Sequence, residues 1–261
     1  ISHPHLDHYG LLGAVDPTVP VFIGREAAAL LGAAAFFSPM TTRVEPTAFL
    51  SDGVPLTIGA FTVTPSLNDH SAFDAYSLRI EADGRRLFYT GDLRGHGRKS
   101  ALFERLVASP PSVDVMLMEG THVRSNADHD AAEFETESDL ELRLVARMRT
   151  TAGPVALAGS AQNLDRIVTA YRAAKRSGRQ LVVDLYGATV AAASRPTIPQ
   201  VGFDNLRVYV PQRQRVLVKE SGEFNRVSAL GDSRVYPEEL KARPEQFAYH
   251  APSSVIAENS R

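Results

Sequence analysis

Ser2-His3-Pro4-His5-Leu6-Asp7-His8 lies at the start of the chain, and its reading decides the fold. Positions 3 to 8 carry four potential metal ligands, three imidazoles and one carboxylate. In an extended segment, residues i and i+2 point the same way, so His3 and His5 can face one metal ion. Asp7 and His8 sit past the bend and can face a second. Neutral imidazole and carboxylate suit Zn²⁺, and also Mn²⁺ or Fe. An isolated pair of histidines reads most simply as a solvated terminus. The H-x-H-x-D-H spacing is much more specific.

Two later residues fit the same chemistry. His70 lies in Leu67-Asn68-Asp69-His70-Ser71. Asp92 follows the apolar stretch Phe88-Tyr89-Thr90-Gly91 and precedes the glycine-rich Arg94-Gly95-His96-Gly97. A carboxylate at the C-terminal end of a strand, beside such a loop, is well placed to bridge two ions. Taken alone, His70 reads equally well as a satisfied loop histidine, and Asp92 as a turn cap.

H-x-H-x-D-H with His70 and Asp92 resembles the ligand pattern of the metallo-β-lactamase fold. The stretch from Gly91 to Lys99 and Met118-Glu119-Gly120-Thr121-His122 resemble its β-CASP branch, which contains RNase J-type nucleases and 3′-end cleavage endonucleases. Ala158-Gly159-Ser160-Ala161-Gln162-Asn163-Leu164-Asp165-Arg166, with the stretch from Tyr171 to Arg179, resembles the insert of bacterial β-CASP members. The resemblance implies an α/β fold: a partial metallo-β-lactamase αββα sandwich with an inserted β-CASP α/β domain. It implies two Zn²⁺ ions, with Mn²⁺ or Fe as alternatives. His3, His5 and His70 would hold one ion, Asp7 and His8 the other, and Asp92 would bridge. Glu119 matches the acidic β-CASP position, with a role in orienting ligands or a proton; Asp7, Asp92 and Glu119 are thus the expected catalytic residues. The implied reaction is phosphodiester cleavage of RNA by a hydroxide bridging two metal ions. Two other functions compete with it: hydrolysis of a small ester, thioester or lactam on the same fold, and a non-catalytic RNA-binding scaffold.

The chain also departs from that pattern. The strands that normally precede the first ligand are absent, and after His129 the only histidine is His250, outside any matching motif. A chain truncated at both ends is therefore expected, with His3 near a frayed end, incomplete metal loading and incomplete activity. His250 reads as a structural or surface residue, and His96 and His122 are not counted as ligands.

The 261 residues suffice for one large domain or two modest ones. With 28 basic and 30 acidic residues the net charge is −2, which excludes a wholly basic nucleic-acid coat protein. The absence of cysteine excludes disulfides, thiolate zinc sites and a cysteine nucleophile. It fits a reducing, cytoplasmic setting. The longest near-apolar run, Ala27 to Phe37, falls well short of the roughly 20 residues of a membrane span.

Two domains are expected, 1–122 and 123–261. The first reads as strands at 19–23 and 60–65, a helix at 25–37, a hairpin of 75–82 and 86–90 around Asp83-Gly84, and a buried strand at 113–118. The second reads as a helix at 138–150 with Leu140, Leu144 and Met148 inward, then strand 154–158, helix 162–177 and strand 181–185, a parallel βαβ unit. From Ser160 to Lys219 there are 10 basic residues against 3 acidic. Arg172, Lys175, Arg176 and Arg179 share a helical stripe and, with Arg166, form a candidate nucleic-acid face. Ser160, Gln162 and Asn163 stand where a strand meets a helix N-terminus, suited to a phosphate or to capping by Ser160. RNA is the expected partner, with DNA possible. The acidic run from Asp128 to Glu141 reads as a solvated linker and helix start.

Overall fold

The computed structural model describes residues 1–38, 43–121 and 134–252. The chain divides into two compact units, Ile1–Ala28 with Thr42–Thr136, and Ala29–Thr41 with Glu137–Arg261. The expected boundary at 122/123 falls within residues 122–133, which lie outside the described set, as do His122 and His129.

The first unit is built on a five-stranded sheet. Its strands are β3 (Leu56–Ile58), β4 (Phe61–Leu67), β5 (Tyr76–Ala82), β6 (Arg85–Tyr89) and β7 (Val115–Leu117), paired in that order. A separate parallel pair joins β1 (Phe22–Gly24) to β2 (Ala48–Leu50). The expected two-sheet sandwich is thus represented by one larger sheet and one strand pair. Asp83 and Gly84 both take positive φ, +50° and +73°, the turn that matches strand twist, and they close the β5–β6 hairpin where expected. Strand β7 differs from expectation. It stands at the sheet edge with Val115, Met116 and Leu117 each half exposed, not buried. An apolar run marks a strand able to be buried; it does not show what covers it.

Strand direction positions the site. Strands β4, β5 and β6 are successively antiparallel and β7 is parallel to β6, so β4, β6 and β7 all run the same way. The loops that follow these three strands leave the sheet at one end. His70, Asp92 and Glu119 stand in those three loops. The opening segment docks at the same end, where the N–H of Tyr76, at the start of β5, donates to the carbonyl of Ser2 (3.0 Å). The Ile1 amine donates to the Phe22 carbonyl (2.8 Å), so His3 stands in a tied-down segment, not at a frayed end.

Helix α1 (Leu6–Tyr9) carries Asp7 and His8, and α2 (Arg25–Ala35) follows β1. The N-terminal end of α2 is capped from outside by Asp74, whose Oδ2 accepts from the Ala27 N–H (3.1 Å). A Cβ on Gly24 would fall within 2.0 Å of that carboxylate, so the capping geometry requires a glycine there. Helix α3 (Ser100–Ala108) precedes β7.

The second unit is a parallel five-stranded sheet in the order β11-β10-β9-β12-β8. Its elements run α4 (Glu137–Thr150), β8 (Val155–Ala158), α5 (Leu164–Arg176), β9 (Gln180–Asp184), α6 (Leu185–Ala192), β10 (Leu206–Tyr209), α7 (Gln212–Ser221), α8 (Asn225–Ser228), β11 (Arg234–Val235), α9 (Pro237–Ala242) and β12 (Phe247–Ala251). The expected βαβ unit is present, but β8 and β9 are not neighbours: β12 lies between them and pairs with both. Side chains on β9 alternate as a period of two demands. Leu181 and Val183 join the core with Val145, Met148, Ala170, Ala174 and Val208, while Val182 packs with Val235 and Phe247.

On helix α4 the expected inward residues Met148 and Leu144 do meet the core, Met148 buried and Leu144 half-buried. Glu137, Glu141, Val145 and Met148 are its buried residues, and Leu142 is exposed. Two glutamates occupy the inward face because α5 supplies their partners. Arg166 pairs with Glu137 (3.1 Å), Arg176 with Glu141 (2.9 Å) and Arg172 with Glu141 (3.9 Å). The end of the acidic run is the helix start it was expected to be, but its Glu137 and Glu141 face α5 arginines instead of solvent.

Candidate metal centre

Two groups of ligand atoms gather at the sheet end, His3, His5, His70 and Asp92 in one and Asp7, His8 and Asp92 in the other, and within each the atoms lie within 4.8 Å of one another. Asp92 belongs to both. Its Oδ2 stands 3.7 Å from His3 Nε2 and 4.0 Å from His70 Nε2, and its Oδ1 stands 3.2 Å from His8 Nε2. His8 Nε2 lies 3.5 Å from Asp7 Oδ2. His5 turns the other ring nitrogen inward, with Nδ1 3.0 Å from His70 Nε2.

The electrostatics suit a cation. Burial pushes the His3 imidazole down to about 2 and the His70 imidazole to about 3, and neighbouring histidines add to the effect. Burial also lowers His5, against the opposing pull of Asp7 and Asp92. All three are therefore neutral near pH 7, with a lone pair to offer. Burial raises Asp92, and Glu119 adds to the rise while His8 opposes it. A carboxylate raised this way is relieved by a bound cation. His3 Nε2 is buried and has no hydrogen-bond partner, although buried polar atoms are nearly always paired. An unsatisfied donor atom in a convergent N/O cluster fits a divalent metal such as zinc.

Glu119 does not reach the ligand groups as a member. Its Oε1 accepts from the Leu93 N–H (2.7 Å), and its own N–H donates to Thr90 Oγ1 (3.2 Å), so it holds the loop that carries Asp92. Sequence reasoning missed three supports. The Asn68 amide donates to the carbonyls of Thr90 (3.0 Å) and Asp92 (3.1 Å), tying the β4 end to the β6 end. Buried Asp69 accepts from the N–H groups of Gly97 (2.7 Å) and Lys99 (3.3 Å) and anchors the glycine-rich loop. Lys99 Nζ donates to the His70 carbonyl (2.8 Å). The signal was present, since Asn68-Asp69 adjoins His70, but a polar loop dipeptide gives no direction in space. Among the described residues His96 belongs to neither ligand group, and its ring stacks on Phe134 at 5.3 Å.

The family model described as a beta-lactamase superfamily domain matches residues 1–154. The chain belongs to the beta-lactamase superfamily. The match takes in every residue of the cluster and ends before the parallel sheet of the second unit. The superfamily is one of metallo-β-lactamase-type hydrolases, and the convergent histidines and Asp92 give this domain groups that could hold a metal ion. Among solved structures, a protein of unknown function from Enterococcus faecalis V583 is 20% identical, with a TM-score of 0.61 over 99% of this chain and 71% of that one. That likeness shows the fold alone. A HARLDQ-motif mutant metallo-beta-lactamase from Cronobacter sakazakii is 21% identical over 45% of this chain and 55% of its own, with a TM-score of 0.36. BJP-1, a subclass B3 metallo-beta-lactamase of Bradyrhizobium japonicum, is 17% identical over 45% of this chain and 53% of its own, with a TM-score of 0.35. None of the curated proteins matches the sequence.

Of the residues expected at a nucleic-acid face, Arg172, Lys175 and Arg176 are exposed on α5, and Arg166 is half-buried. Arg166, Arg172 and Arg176 are engaged with Glu137 and Glu141. Arg179 is buried and donates only to carbonyls, those of Met148, Gly153, Thr151 and Phe247. Asn163, not Ser160, caps α5: its side-chain oxygen accepts from the Arg166 N–H (3.0 Å). Ser160 accepts from the Gln162 N–H (3.2 Å), and the Gln162 amide donates to Tyr186 (3.1 Å). His250 is buried at 2% exposure on β12, an interior strand between β9 and β8. No helix of the described residues is long and apolar enough to cross a membrane.

Proposed function

We propose that the chain is a dinuclear metal-dependent hydrolase of the β-CASP branch that cleaves phosphodiester bonds in RNA. The observation that carries the dinuclear reading is Asp92, shared by two ligand groups at one sheet end. His3, His5 and His70 would hold one ion, Asp7 and His8 the other, with Asp92 between them. When bound, the metal supplies Lewis acidity and a water that ionises near neutral pH. The protein's own residues do the rest. Neutral imidazoles present lone pairs, Glu119 and Asn68 fix the loop that carries Asp92, and the Asp69 anchor orders the 94–99 loop beside it. The RNA reading rests on the β-CASP-like motifs and on the α/β unit that follows the superfamily domain.

The pairing of α5 arginines with α4 glutamates favours a second reading, hydrolysis of a small ester, thioester or lactam, because it offsets part of the positive charge of α5. The test offers the purified chain with Zn²⁺ or Mn²⁺ labelled single-stranded RNA, a thioester and a lactam, each alongside Asp92→Ala. RNA cleavage lost in Asp92→Ala supports the first reading. Turnover of a small substrate alone, with the same dependence on Asp92, supports the second. Equal rates with and without the Asp92 carboxylate would refute both.

A further inference from the structure

We infer that Ser2 is a positioning residue whose single hydroxyl fixes the ring tautomer of two histidines, one in each ligand group. The inference rests on the metal-centre reading above. A neutral imidazole carries one N–H and one lone pair, and only the nitrogen with the lone pair can bind a metal. His3 and His8 both direct Nε2 at Asp92. Their Nδ1 atoms both face the Ser2 hydroxyl, at 3.2 Å and 3.4 Å. A hydroxyl oxygen has two acceptor lone pairs and can take both N–H groups. Protons held on both Nδ1 atoms leave both Nε2 lone pairs on the Asp92 side. The opposite tautomer would aim an N–H at the position a cation needs.

The hydroxyl is itself held in place. Ser2 is buried at 5% exposure, and its carbonyl accepts from the Tyr76 N–H. Gly91, with φ of +57°, passes so close that a Cβ there would fall 3.4 Å from Ser2 Cβ and 2.8 Å from the Tyr76 carbonyl oxygen. The two histidines do not depend on Ser2 equally. His8 Nδ1 has a second hydroxyl, that of Tyr89, at 3.4 Å. The only hydroxyl contact of His3 among the described residues is with Ser2. Loss of the Ser2 hydroxyl therefore falls harder on the group of His3, His5 and His70 than on that of Asp7 and His8.

Two readouts test this. Zinc affinity is measured by competition with a chromophoric chelator, and histidine tautomers by long-range ¹H–¹⁵N correlation on the metal-free protein. Ser2→Ala is expected to weaken zinc at the first position by about 10-fold or more, the usual scale for a lost partner of a metal-bound imidazole. It is also expected to move His3 away from the Nδ1–H tautomer. Ser2→Thr, which keeps the hydroxyl, is expected to retain both properties, and Tyr89→Phe to alter His8 alone. Unchanged His3 tautomer in Ser2→Ala, or losses of equal size in Ser2→Ala and Ser2→Thr, would overturn the inference. Failure of the wild-type chain to bind zinc would overturn the metal-centre reading instead, and the tautomer spectra would still decide the role of Ser2.

Discussion

Acid should weaken the second unit through His250, and His250→Leu should remove that weakness. The ring lies on β12, an interior strand between β9 and β8, with 2% of its surface exposed. Burial first, and then the charge of Arg166, push its pKa from 6.5 down to about 4, with Glu137 pulling the other way. Its Nε2 points at Gly159, where a Cβ would stand only 2.8 Å away, and has no hydrogen-bond partner, so the folded state offers the charged ring no acceptor at that atom. The unfolded chain takes up a proton as pH falls through 6.5, whereas the folded chain does not until about 4. Stability from this group is therefore complete above pH 6.5, declines between 6.5 and 4, and changes no further below. At about 1.4 kcal/mol per unit the full loss is about 3 kcal/mol. The assay is urea unfolding followed by circular dichroism between pH 7.5 and 4. The free-energy difference between wild type and His250→Leu should shift by that amount in favour of the variant as pH falls. A difference that stays constant across the range would refute the reasoning.

Two further outcomes are expected. Asn68→Ala removes the amide that satisfies the Thr90 and Asp92 carbonyls and should cost about 2 kcal/mol in thermal or chemical unfolding, with zinc affinity falling as Asp92 loosens. Arg179→Met deprives four buried or half-buried carbonyls of their donor and should destabilise the second unit by about 3 kcal/mol or more, read as a lower urea midpoint with zinc binding by the first unit unchanged.

Much of the site could be read before the fold because its ligands follow local rules. His3 and His5 alternate along one extended stretch, and Asp7 and His8 follow at once on the short helix α1, so all four ligands fall within six positions. His70 and Asp92 needed the resemblance, since only the shared direction of β4 and β6 brings residues 22 apart in sequence to one sheet end. The supports were illegible: Asn68, Asp69 and Ser2 are ordinary polar residues until the loops close on them. The hairpin at Asp83-Gly84 was legible because both positions take positive φ. The α5 charges were legible in part. Arg172, Lys175 and Arg176 are exposed on α5, but spacing cannot show that Glu137 and Glu141 on another helix stand beside Arg166, Arg172 and Arg176, or that Arg179 turns inward. Likewise the interleaving of β12 between β8 and β9 depends on a strand about 90 residues downstream of β8.

The central claim is that Asp92 joins two metal positions, and a zinc titration of the wild-type chain, Asp92→Ala and Asp7→Ala by isothermal calorimetry tests it most directly. Wild type should take up zinc at two positions, Asp7→Ala should weaken one of them, and Asp92→Ala should weaken both. Undiminished uptake at either position in Asp92→Ala would contradict the account.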